Sequence, residues 1–208
     1  LSTKVPPPLV VRVGKEQRAA IDQAGVLLRE LGHDVVVRDP DYPPSAIYGN
    51  FLPRFFRGIY NDVRVMPHQE RLEKRTRNMA RIGSLIPEAR MAKIRAAESA
   101  LAERIGSIFD DVDVVITPAN AAGPSRIGAY QRLGGIATLL AVSQRVPFFE
   151  MWNVTGQPAA AVPWGLDDNG VPVSIQLVGR PNDEATLLAL GAQIEAARPW
   201  AQRRPPVS

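Results

Sequence analysis

Phe148-Phe149-Glu150-Met151-Trp152-Asn153-Val154-Thr155-Gly156-Gln157-Pro158-Ala159-Ala160-Ala161-Val162-Pro163-Trp164-Gly165, then a polar turn, then Val171-Pro172-Val173-Ser174-Ile175-Gln176-Leu177-Val178-Gly179, decides the fold. Residues 159–162 are small and apolar between prolines, which suits a buried strand that lets another backbone come close. Asp167-Asp168-Asn169-Gly170 is dense in residues that tolerate positive φ and reverses the chain. Residues 172–178 form the partner strand, with Ser174 and Gln176 breaking its apolar run. Beyond them Asn182-Asp183 offers an N-cap, and Leu187, Leu188, Gly191 and Ile194 lie on one helical stripe that Arg198 and Pro199 close. Strand, hairpin, strand and helix mark the edge of a larger α/β layer.

Working outward, residues 16–31 form an amphipathic helix with Ala20, Ile21, Ala24, Leu27, Leu28 and Leu31 on its apolar face. Gly32 then sits where a left-handed residue ends a helix. Val35-Val36-Val37 reads as a buried strand stopped by Asp39-Pro40, which makes half of a βαβ unit. Residues 112–116 are a continuous apolar run between polar brackets, the pattern of a central strand buried on both faces. It leads into the small-residue loop Thr117-Pro118-Ala119-Asn120-Ala121-Ala122-Gly123-Pro124, in the place where α/β folds build pockets.

Between these segments, residues 41–86 carry an aromatic cluster of Tyr42, Tyr48, Phe51, Phe55, Phe56 and Tyr60, read either as a helix face packed into the core or as a wall over a pocket. Arg71, Lys74, Arg75, Arg77 and Arg81 alternate with Glu70 and Glu73, the pattern of a solvated helix face rather than of a nucleic-acid site. Pro87 opens a helix with the stripe Met91, Ile94, Leu101 and Ile105, and residues 133–142 predict a buried helix. β-Branched residues 9–13 favour a strand by propensity. The proline-rich ends, residues 1–8 and 199–208, are expected to be poorly ordered.

The 208 residues, 45% hydrophobic and 22% charged, suffice for a buried core. No apolar run spans a bilayer, and a net charge of +4 permits nucleic-acid binding without arguing for it. With no cysteine there is no disulfide, thiol nucleophile or thiolate metal site. Catalytic motifs are absent too: no Gly-x-Ser-x-Gly elbow, no Ser-x-x-Lys, no phosphate loop. His33 and His68 lack ligand spacing, so neither a metal nor a cofactor is expected. Ser84 after Gly83 reads as a turn residue before it reads as a nucleophile, and Asp110-Asp111-Val112-Asp113 reads as turn chemistry.

Four linked motifs, Asn153-x-Thr155-Gly156-x-Pro158-Ala159, Val162-Pro163-x-Gly165, Gly170-x-Pro172-x-x-x-Gln176-Leu177-Val178-Gly179 and Asp183-Glu184-x-x-Leu187-Leu188, resemble the closing segment of the amidase signature family. Asp113-x-x-x-Thr117-Pro118 and Leu31-Gly32-His33-x-Val35 are similar to segments lying earlier in that family. The resemblance implies an α/β fold, a mixed sheet covered by helices on both faces, present here as one incomplete domain over residues 1–208. It makes residues 9–13 a lead-in to the following helix instead of a strand, and Leu1-Ser2-Thr3 the tail of a strand.

Family members cleave amide or ester bonds with a lysine, a bridging serine in a Gly-Gly-Ser-Ser-type loop and a nucleophilic serine, through an acyl-enzyme. Lys4, Lys15, Lys74 and Lys93 stand outside that context and no serine matches, so no catalytic residue carries over. The resemblance implies a C-terminal portion that is inactive alone. Its partners would be a small-molecule amide, the N-terminal catalytic half and, through an open sheet edge, a second copy in a homodimer. By resemblance Thr117, Pro118, Trp152, Asn153 and Thr155 border the acyl-binding side, with Gln176 bracing them; for Asn153 and Thr155 the competing reading is local backbone bonding. A cytoplasmic location is expected. Two other functions fit the same residues: a non-catalytic subunit or binding module, and an amidotransferase subunit acting on aminoacyl-tRNA.

Overall fold

The computed structural model describes residues 1–202. In chain order it runs α1 (Lys15–Glu30), α2 (Leu52–Val65), α3 (Lys74–Ser84), α4 (Glu88–Ala96), α5 (Glu98–Gly106), β1 (Val115–Pro118), α6 (Gly135–Ser143), α7 (Glu150–Thr155), β2 (Ala159–Leu166), β3 (Pro172–Val178) and α8 (Glu184–Ala197). A π-helical turn, Ala46–Phe51, leads into α2.

The sheet has the order β1-β3-β2 with both pairings antiparallel. Register places Ile116 opposite Leu177, and Ala160 opposite Leu177 on the other side. Because side chains alternate across a sheet, these residues share one face with Val162 and Ile175. That face packs on Ala20, Ile21, Ala24 and Leu28 of α1 and on Leu187 and Ile194 of α8. Val115 and Val178 point the other way, into a cluster of Tyr42, Ile105, Phe109, Met151 and Trp152. Burying one such side chain is worth roughly 1.5–3 kcal/mol, so the two clusters clamp β3 from both sides. The α/β layer with helices on both faces is therefore present.

Local chemistry explains most element ends. Gly32 takes φ +90°, and its N–H donates to Arg29 O while His33 N–H donates to Leu28 O. That is the paired closure of a Schellman motif, and it stops α1 where the glycine predicts. In the hairpin, Asp167 Oδ1 accepts from the N–H groups of Asn169 and Val171, and Gly170 takes φ +76°. Asp183 caps α8 by accepting from Thr186 N–H.

Several expectations are corrected. Val35-Val36-Val37 is extended but is no buried strand: Val36 is 45% and Val37 80% exposed. Its backbone partner is Leu1, which bonds Val36 O and Arg38 N–H. Within residues 1–8, Ser2 is buried and donates from its backbone to Ile116 O. Residues 9–13 are the lead-in and not a strand, with Gly14 N–H on Ala121 O.

The strand expected at 112–116 forms later, as β1, and β3 rather than β1 is central. The stripe after Pro87 belongs to two helices, broken at Ala97 with ψ near 0°. Helix α6 forms as expected but lies at the surface, with Ile136 and Leu140 exposed. Residues 152–155 form the end of α7, which Gly156 closes at φ +81°. The β2 strand is half-buried: Ala159, Ala161 and Pro163 face outward. Of 199–208, residues 203–208 lie outside the described residues.

Candidate functional site

The second face of the sheet carries the polar residues singled out from the sequence. Thr117 pairs with Gln176 and Gln176 with Ala161, so all three side chains share that face. Gln176 is buried, and its amide nitrogen donates both to Thr117 Oγ1 at 3.1 Å and to Phe148 O at 3.1 Å. Thr117 in turn donates to Pro118 O at 3.1 Å. A single side-chain amide therefore joins β3, the end of β1 and the chain entering α7. A carboxamide suits this position because its NH₂ group holds two donors.

Beside this brace the same face is open. Ala159, Ala161 and Pro163 on β2 are exposed, while Val178, the register partner of Ala159, and Val115 beyond it are covered. Side chains this small leave a shallow platform against which a flat group or another backbone can lie. The loop after Pro118 is anchored by Ala121 N–H on Arg145 O and by Gly14 N–H on Ala121 O. Arg145 also donates to Gly123 O.

The other sequence candidates separate. Trp152 is buried in the core, edge-on to Tyr42 and tilted against Phe109 with ring centroids 6.2 Å away in each case. Asn153 is exposed on α7, and its backbone N–H donates within the helix to Phe149 O. Thr155 donates to Met151 O at 2.8 Å and contacts the Gln157 side chain. Local backbone bonding is thus what Thr155 does. The structure brings Thr117, Pro118 and Gln176 together and leaves Trp152, Asn153 and Thr155 on the adjoining helix.

Glu150 escaped the sequence reading. Its carboxyl is buried, with Oε2 lacking a hydrogen-bond partner. Burial raises its pKa to about 7 against the bonds it accepts from the Phe149 and Glu150 N–H groups. Burial, and then the charges of Glu150 and Asp39, push the Tyr42 hydroxyl upward as well. Trp152 Nε1 is a second buried polar atom without a partner. The one visible signal was an acid set among Phe148, Phe149, Met151 and Trp152.

Ser84 donates its hydroxyl to Arg81 O at 2.8 Å, as a helix-end residue does. His33 meets Gln193 at 2.8 Å and His68 meets Glu70 at 3.2 Å. Asp111 pairs with Arg38, and Asp113 with Arg180. Among the described residues no group of three His, Cys, Asp or Glu side chains is placed to hold a metal, and no helix is long and apolar enough to cross a membrane. A cleft of about 550 Å³ lies elsewhere, bordered by Ile116 but by none of the six candidate residues.

The Amidase family profile matches residues 5–188. A Mycobacterium tuberculosis protein provisionally named amidase AmiB2 is 67% identical over all 208 residues, which make up 45% of its length. A second from the same organism, provisionally named amidase AmiA2, is 36% identical over 91% of the chain and 39% of its own length. Among solved structures, 6-aminohexanoate cyclic dimer hydrolase complexed with substrate superposes with a TM-score of 0.76 at 24% identity, covering 93% of the chain and 44% of that enzyme. A bacterial aryl acylamidase of the amidase signature family gives 0.70 at 20% identity, over 94% and 44%. The chain thus spans less than half the length of the relatives it matches.

Proposed function

Because the chain belongs to the Amidase family, we propose that it is the C-terminal part of an amide hydrolase whose nucleophile lies on polypeptide outside these 208 residues. The observation that carries this reading is the Gln176 brace: one buried amide holding Thr117 and Phe148 O beside an open platform of small residues. A rigid wall of this kind fits the far side of an acyl pocket, where positioning of a flat amide contributes more than chemistry. Thr117, Pro118 and Gln176 form the wall, and Ala159 and Ala161 extend it. Trp152 acts from behind by packing α7, and Thr155 by closing one of its backbone bonds, while Asn153 stands exposed on the same helix.

Catalysis itself would follow the family pattern: a serine attacks the carbonyl, an acyl-enzyme forms, ammonia or amine leaves, and water releases the acid. No residue of this chain takes a covalent part. The polypeptide at the relatives' full length should release ammonia or amine from aliphatic or aryl amides, and Gln176→Leu should lower turnover by about tenfold or more through misplacement of the wall. Absence of hydrolysis across both amide classes would favour the non-catalytic binding module. Binding of tRNA with a steep salt dependence would instead favour the amidotransferase subunit.

A further inference from the structure

Away from the wall and the core, the tip of the β2–β3 hairpin sets two mutually reactive residues side by side. Asn169 is exposed and is followed by Gly170, which is exposed as well and takes φ +76°. Nothing lies within 4 Å of where a Cβ on Gly170 would stand. The backbone nitrogen of Gly170 is therefore a nucleophile with no side chain to shield it, next in the chain to the carboxamide of Asn169. Among the described residues no hydrogen bond holds that carboxamide, although the Asn169 N–H donates to Asp167 Oδ1. Asn120, Asn153 and Asn182 are exposed too, but the residue after each, Ala121, Val154 or Asp183, carries a Cβ.

Asp167 holds this turn shut. Its Oδ1 accepts from the N–H groups of Asn169 and Val171 at 2.8 Å each, and its carbonyl accepts from the Gly170 N–H at 2.9 Å. Ring closure needs that last N–H released and its nitrogen turned toward Asn169 Cγ. Loss of the proton is also opposed by the Asp167 carboxylate nearby, since like charges disfavour one another. The reaction therefore runs through an opened turn, and whatever keeps the turn closed slows it.

We propose that Asn169 is a self-modifying site, converted through a cyclic imide to aspartate and isoaspartate at a rate that Asp167 restrains. The Gly170 nitrogen gives up its proton and bonds Asn169 Cγ; the Cγ–Nδ2 bond breaks, and the side-chain amine leaves with that proton as ammonia. Water then opens the imide. Attack at Cγ breaks the new bond and leaves aspartate. Attack at the Asn169 main-chain carbonyl breaks the peptide bond to Gly170 and leaves isoaspartate, with the chain rerouted through the side-chain carbon. Either product sets a further carboxylate beside Asp167 and Asp168, where Lys15, paired with Asp168 at 2.7 Å, is the one bound cation among the described residues. Isoaspartate also lengthens the main chain inside the span that Asp167 clamps. The reaction needs only this chain and water, releases one ammonia per chain without turnover, and does not depend on the amidase reading.

The test ages the 208-residue chain at neutral pH. Peptide mass spectrometry reads the replacement of NH₂ by OH, and an aspartate-specific protease cuts before aspartate but not before isoaspartate. Asn169 should convert roughly tenfold or more faster than Asn120 and Asn182, and part of its product should resist the protease. Asp167→Ala should quicken conversion by about fivefold, the extra opening that a lost turn hydrogen bond allows. In urea, where no turn persists, the parent and Asp167→Ala should convert alike and faster than the folded parent. The folded and unfolded parent supply that comparison even if the variant does not fold. Conversion at Asn169 no faster than at Asn120 overturns the site. Equal rates in the folded parent and folded Asp167→Ala, or in the folded and unfolded parent, overturn the restraint by Asp167.

Discussion

The hairpin and closing helix, β2 through α8, contrast with the helical stretch from α2 to α6. In the first, apolar residues meet partners on both sides: Ile175, Leu177 and Val178 on β3 are fully buried between α1 and α8 on one face and α7 on the other. In the second, apolar residues are spread along short helices that cover one another only in part. Leu85 is 81% exposed, and Ile136 and Leu140 on α6 face outward even though α6 rests on α3. The same composition thus produces a core where a sheet gives two faces to pack on, and a surface where helices meet along single stripes.

The contrast can be broken first at its strongest point. Ile175→Ala should cost about 3–5 kcal/mol, since the side chain is fully buried against α1 and α8; chemical denaturation measures it, and a loss below about 1 kcal/mol would refute a closed core on that face. Glu150→Gln comes next. A carboxyl whose folded pKa lies near 7, above its ordinary value of 4.5, favours the native state while protonated. That stability is fully present below about pH 4.5 and is lost as pH rises through 7, amounting to about 3 kcal/mol. The glutamine variant should therefore be more stable than the parent at pH 8, and its stability should vary less between pH 5 and 8.

Gln176→Leu should cost roughly 1–3 kcal/mol, because it strips a donor from the buried Thr117 hydroxyl and the Phe148 carbonyl. Gln176→Glu should do no better, as it loses the NH₂ group and adds a buried charge. Leu140→Ser in the helical stretch should stay within about 0.5 kcal/mol in the same measurement. A large loss there would mean that α6 is covered in solution.

What could be read from the sequence follows the same division. The β2–β3 hairpin, the cap at Asp183 and the end of α1 at Gly32 depend on signals within a few residues, and each formed where its residue types predicted. Val35-Val36-Val37 misled because a β-branched run predicts burial only if another strand arrives beside it, and here one residue, Leu1, supplies the ladder. Ala97 breaks a helix without a glycine or proline to announce it. Of the candidate site, Gln176 was legible as a polar residue breaking a buried strand, and Thr117 only through the family resemblance. The hold of Gln176 on Phe148 O was not, because that carbonyl lies 28 residues from Gln176 and shows in no side-chain type. Glu150 was hidden for the same reason, its surroundings including Tyr42 from more than 100 residues away.

Release of ammonia from a simple primary amide, followed with the mass-verified 208-residue chain and with the polypeptide at the relatives' full length, decides whether the nucleophile lies outside these 208 residues. The longer polypeptide should turn over the amide and the 208-residue chain should match the blank. Turnover by the 208-residue chain that disappears in Ser84→Ala would contradict the account, because it would place the nucleophile on a residue assigned here to a helix end.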